Sequence, residues 1–102
     1  MVEYHQHAEY WLRIFVVGDS PQAYKAIRNL HWLCNEYLCE QAYHIEVIDL
    51  CCEPEKGDSE KIVATPTLIR EAPRPPLRVI GDLANAERVA ELLLQHSGCE
   101  ED

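Results

Sequence analysis

No Cys-x-x-Cys pair occurs anywhere in the 102 residues. That absence excludes ordinary two-thiol disulfide exchange, which needs one thiolate to attack a sulfur and a second thiol to resolve the product. The chain also lacks any apolar run near the roughly 20 residues that span a bilayer, so no membrane-embedded role is expected. Positive charge is scarce: 9 Lys and Arg face 18 Asp and Glu, for a net charge of −9. Such a field repels a nucleic-acid duplex or an anionic membrane surface, and neither is expected as a partner. The first ten residues carry Glu3, His5 and His7 in place of a basic stretch followed by an apolar one. They do not read as a signal peptide, and the cytoplasm is the expected compartment.

Metal-type spacing is missing too. Cys34, Cys39, Cys51, Cys52 and Cys99 form no paired set. Cys51 and Cys52 are vicinal, and in a cytoplasmic protein reduced thiols are expected. His5 and His7 make an H-x-H pair, but in an N-terminal segment expected to be flexible. His31, His44 and His96 have no companion ligand close in sequence. Neither a metal nor a cofactor is expected.

What is present suffices for a folded domain. Hydrophobic residues make up 47% of the chain and charged residues 26%, ordinary globular proportions for one domain. We place that domain at 11–96, after a flexible segment at 1–10 and before an acidic tail at 97–102. Basic residues gather locally, Lys25 with Arg28, then Lys61, Arg70, Arg74 and Arg78, and small basic patches on an acidic protein suit a protein partner.

Trp11 to Val17 is apolar on much of both faces and reads as a central strand ending at Gly18. Ser20 is a candidate N-cap with Pro21 at the first helical position. Tyr24, Ile27, Leu30, Cys34 and Leu38 then recur at helical steps. His44 to Leu50 reads as a second strand, parallel to the first across the helical crossover. Pro54 to Val63 predicts a short helix, weakened by Gly57. Thr67–Arg70 and Leu77–Ile80 are short strands around the Pro73-Arg74-Pro75-Pro76 turn, the second closed by Gly81. Asn85 caps a last helix over Ala86–His96, with Val89, Leu92 and Leu93 inward.

The order is α/β, βαβαββα, the thioredoxin-like arrangement. Within it, Ser20 and Pro21 stand where redox thiols would be needed, and Pro66 in Ala64-Thr65-Pro66-Thr67-Leu68 stands where a proline lies against them. The scaffold is therefore expected to serve binding, and no enzyme activity is expected.

Three segments carry a closer likeness: Leu12 to Pro21 (LRIFVVGDSP), Val47-Ile48-Asp49-Leu50, and Lys61 to Leu68 (KIVATPTL) with Val79-Ile80-Gly81-Asp82-Leu83 behind it. Together they resemble the KaiB family of cyanobacterial clock proteins and their bacterial homologues. The resemblance implies a regulator that binds the N-terminal ATPase ring of a KaiC-type hexamer in a clock, timer or stress response. It further implies KaiA or a clock-output histidine kinase as additional partners, and a homo-oligomer, dimer or tetramer. It implies a cis Pro66 and a fold switch, in which a tetrameric ground state rearranges its C-terminal half into the thioredoxin-like binding form. By the same resemblance Lys25, Arg28 and Lys61 are partner-contact residues.

Two departures stand out. Glu46 lies where clock members commonly carry lysine, and Leu92 and Leu94 lie where they commonly carry a glycine and an aspartate. The leucines raise helix propensity by about 1 kcal/mol together, which favours the thioredoxin-like form. A thioredoxin-like module engaging a different protein partner is the alternative reading. A stand-alone relative of the sensor domain of clock-output kinases is a third.

Overall fold

The computed structural model describes residues 9–95. The expected acidic tail, residues 1–8 of the segment 1–10 expected to be flexible, the His5/His7 pair and the end of the last helix at His96 lie outside the described residues. Within them the order is β1 (Glu9–Val16), α1 (Pro21–Tyr37), β2 (Ala42–Asp49), α2 (Pro54–Ser59), β3 (Thr67–Ala72), β4 (Leu77–Ile80) and α3 (Ala86–Leu94). The strands form one sheet in the order β2-β1-β3-β4. β1 pairs parallel with β2 and antiparallel with β3, and β3 pairs antiparallel with β4.

Both parallel strands begin two residues earlier than expected, because Glu9↔Ala42 and Tyr10↔Tyr43 extend the ladder before the apolar pattern starts. β1 sends alternate side chains to opposite faces. Tyr10, Leu12, Ile14 and Val16 point to the larger core, which α1 and α3 cover with Ala26, Leu30, Leu33, Val89 and Leu93. Phe15 points the other way, into a smaller cluster with Ile48 and Ile69, backed by Leu50 and Ile62. α2 lies on this second face, where a side chain at Gly57 would meet Leu50 at 3.2 Å.

The inward stripe of α1 differs from the expected one. Ala23, Ala26, Leu30, Leu33 and Cys34 are buried, whereas Tyr24 is 63% exposed and donates its hydroxyl to Asp19 at 3.1 Å. Small alanines let α1 approach the sheet closely, so the aromatic ring has no room beneath the helix. α2 stops at Ser59, four residues short of the expected Val63, because the backbone turns left-handed at Lys61 (φ 57°). In α3, Leu93 is fully buried, Leu92 half-buried and Leu94 exposed.

Arg70 corrects the expected basic patch. It is 2% exposed, because period-two alternation from Leu68 sends it to the larger core opposite Leu12. Its guanidinium donates to the Leu93 carbonyl at 2.6 Å, to the Pro75 carbonyl at 2.7 Å and to the Gln95 carbonyl. Two of those groups belong to the end of α3, whose last carbonyls have no intrahelical partner. Arg78 is likewise engaged, with the carbonyls of Glu60 and Lys61.

Candidate functional site

The chain leaves β1 through Gly18 (φ 50°), a left-handed conformation that favours glycine. Its N–H donates to Asp49 Oδ1 at 2.9 Å, and the same oxygen accepts from the Cys51 N–H at 2.9 Å. These two backbone donors hold the Asp49 carboxyl below the usual carboxylate range. The carboxylate thus fixes the ends of β1 and β2 against each other.

Ser20 follows in extended backbone and caps α1: its Oγ accepts from the Ala23 N–H at 3.1 Å. Pro21 occupies the first turn, where a missing N–H costs nothing. Facing them is the segment before β3. The Thr65–Pro66 peptide is cis, as the resemblance implies. Pro66 is anchored through its carbonyl, which accepts from Gly81 N–H at 2.9 Å, with Gly81 at φ 122°. Thr67 Oγ1 donates to the Ala64 carbonyl at 2.6 Å and pins the turn. Ser20, Pro21, Pro66 and Gly81 are therefore brought to one end of the sheet. A groove of about 320 Å³ lies between them, lined by Val17, Ser20, Gln22, Ala23, Thr65 and Pro66.

The Ser20 hydroxyl is committed to the helix cap, and no sulfur stands in its place. The nearby Cys52 thiol is held up by the negative charge of Asp49, which opposes thiolate formation. Cys34, buried beneath α1, is pushed up to about 12 by desolvation. Among the described residues no group of three or more His, Cys, Asp or Glu side chains can hold a metal ion.

The three basic residues expected to contact a partner do not form one patch. Lys25 and Arg28 lie exposed on α1, on the layer of the larger core. Lys25 Nζ sits 3.7 Å from Asp82 Oδ2, and Asn29 donates to the Asp82 carbonyl at 2.8 Å. Both contacts tie α1 to the loop before α3. Arg28 makes no ion pair among the described residues. Lys61 is exposed on the turn after α2, on the opposite layer. The pattern missed the Arg13 cluster. Arg13, on the second face, meets Glu60 and Glu71 at 3.0 Å each and Glu46 at 3.5 Å. The visible clue was parity, since Arg13 alternates with Trp11 and Phe15 on the face away from α1.

A family model described as the KaiB domain matches residues 13–95. The chain belongs to the KaiB family. The circadian clock protein KaiB3 of Synechocystis sp. is 42% identical over 78 residues, 76% of each chain. A circadian clock oscillator protein KaiB of Prochlorococcus marinus is 40% identical over 81 residues, 78% of this chain and 69% of that one. Among solved structures, the N-terminal domain of Synechococcus elongatus SasA superposes with a TM-score of 0.75 at 18% identity, covering 92% of this chain and 88% of that one. Chloroplastic thioredoxin z gives 0.66 at 19% identity, over 90% and 81%. At those identities the structures speak for the fold alone, and the fold of this KaiB-family chain is thioredoxin-like. No helix among the described residues is long and apolar enough to cross a membrane.

Proposed function

We propose that this chain is a non-enzymatic regulator that binds the N-terminal ATPase ring of a KaiC-type hexamer in the cytoplasm and modulates a clock, timer or stress response. The observation that carries the reading is a KaiB-family domain over residues 13–95 whose thioredoxin-like groove holds a helix-capping serine in the thiol position. Lys25 and Arg28 stand exposed on the helix that Ser20 starts, close enough in sequence to contact whatever fills the groove. Lys61, on the other layer, would touch the same partner only where that partner wraps around the sheet end. KaiA or a clock-output histidine kinase would join or compete on the assembled ring.

A fold switch belongs to the same proposal. Two packings of one sequence must lie within a few kcal/mol for a partner to select between them. Leu92 and Leu94 tilt that balance toward the thioredoxin-like form. Leu94 adds exposed apolar surface to α3, so helix propensity, not burial, carries its share. An NMR assignment showing a tetramer-type C-terminal half as the main form would refute this bias.

The test is size-exclusion chromatography with light scattering, the protein alone and mixed with its host's KaiC-type ATPase in ATP and in ADP. A nucleotide-dependent shared peak, weakened in Lys25→Glu/Arg28→Glu, is expected. The same run reads whether the free protein is monomer, dimer or tetramer. No shared peak with an active hexamer would sink the proposal. It would leave the second reading, a module for a different protein partner. Glu46 favours that one, being bound into ion pairs with Arg13 and Lys56.

A further inference from the structure

The second face of the sheet is only partly covered. β1 runs eight residues, about 26 Å at the usual rise of a strand, whereas α2 has six residues, about 9 Å of helix. α2 and Ile62 cover the end near Phe15 and Ile48. Among the described residues nothing covers the other end, and a groove of about 380 Å³ opens there between β1 and β2. Trp11 and His44, cross-strand partners in the ladder, both line it, and their rings stack on each other at 3.9 Å with an interplanar angle of 15°. Trp11 remains 48% exposed.

Carboxylates flank this aromatic stack. Glu46 and Glu71 line the groove, and Glu9 reaches His44 Nε2 at 2.8 Å. Arg13 is already shared among Glu46, Glu60 and Glu71, and Lys56 between Glu46 and Glu53. Among the described residues Glu71 meets Arg13 through Oε2 only, and Glu9 meets His44 through Oε2 only. An ionised carboxylate accepts at both oxygens, so each keeps a free one for an incoming donor. The exposed Trp11 ring next to open carboxylates matches a guanidinium, which stacks on an aromatic face and forks onto carboxylates.

We infer that this groove is a docking site for a basic segment of a partner protein, which lays an arginine along the Trp11–His44 stack with its guanidinium on the open oxygen of Glu71 and in the field of Glu46, whose own oxygens already face Arg13 and Lys56. The site lies on the layer opposite Lys25 and Arg28; of the contact residues proposed above, only Lys61, on the turn after α2, shares that layer. Glu46 then has a positive role: with Glu71 it completes an acidic rim, where a lysine would repel the ligand.

The chain has two tryptophans, so Trp32→Phe leaves Trp11 as the sole reporter. This protein is titrated with an acetylated, amidated tetra-arginine peptide and separately with tetra-glutamate, following Trp11 emission at low salt. A saturable change with tetra-arginine alone is expected. Glu46→Gln/Glu71→Gln is expected to weaken it roughly three- to tenfold, the effect of removing two exposed charge contacts. Glu36→Gln/Glu40→Gln, which removes two charges elsewhere, is expected to leave it within about twofold. Peptide-induced amide shifts in the wild-type protein, clustered at Trp11, His44 and Ile45, give a readout free of mutation. No saturable Trp11 response, equal loss in both double variants, or shifts centred on α1 or α3 would overturn the inference.

Discussion

Replacing Arg70 by methionine is the sharpest test of how this fold is held. The guanidinium is a buried cation with three carbonyl partners, Leu93, Gln95 and Pro75, and no carboxylate among the described residues. Burial pulls its pKa down, but an arginine stays charged, so the protein bears the desolvation cost in full. If that cost dominates, a methionine of similar length should be neutral or stabilising, as hydrophobic replacement of buried charges often is. The geometry argues the opposite. Hydrogen bonds to a charged donor contribute about 1.5 to 3 kcal/mol each, and a buried carbonyl left unpaired costs about 1 to 3 kcal/mol. The Gln95 and Pro75 carbonyls belong to exposed residues and can turn to water, whereas Leu93 is fully buried. With part of the gain cancelled by desolvation, the net loss is about 2 to 4 kcal/mol, a large share of the roughly 5 to 15 kcal/mol that a domain has. Urea unfolding followed by tryptophan fluorescence measures it, and hydrogen exchange should show α3 amides losing protection first. Arg70→Lys should recover only part, because a single ammonium cannot serve three spread carbonyls. A methionine variant within about 0.5 kcal/mol of wild type, with α3 protection unchanged, would refute the reasoning.

Ser20→Ala removes the cap on α1 and should cost about 1 kcal/mol in the same urea assay, with Ser20→Asp restoring most of it. Asp49 is held below its ordinary pKa by the Gly18 and Cys51 N–H groups, so its contribution is complete above the usual carboxylate range and lost as pH falls through the lowered value. Asp49→Asn should therefore narrow the gap to wild type in acid, read as stability against pH from 7 down to 2; a gap that widens in acid would contradict the assignment. Cys34, buried and pushed up to about 12, should resist a thiol reagent in the native protein while exposed Cys39 and Cys51 react, as mass spectrometry of the labelled peptides would show.

The βαβ half was legible because its signals are local. Gly18, Ser20 and Pro21 announce a strand end and a helix start by chemistry that does not depend on the rest of the chain, and the cap forms as expected. Strand ends were less so. Glu9 and Tyr10 pair because Ala42 and Tyr43 stand opposite, and pairing is not written in side-chain alternation. Arg70 and Arg13 were the harder cases. A strand arginine reads as surface by composition, and only the register that sets Arg70 against Leu12, and α3 above it, turns it inward. The groove at Ser20 and Pro66 came from residues 46 apart in number, joined only through the likeness of the motifs. Lys25 and Arg28 on one layer and Lys61 on the other were separated by the sheet itself.

The contact between Lys25 and Asp82 gives the molecule a choice of bond. The same ammonium that faces outward from α1 is the one that reaches the loop leading into α3. A carboxylate arriving on a partner would compete with Asp82 for it, and whatever the newcomer gains is reduced by the hold that Asp82 gives up. Linkage requires the reverse as well: anything that loosens the loop frees Lys25 for the newcomer. Grip on the outside and slack at the start of the last helix would then rise together, and one lysine would report on both.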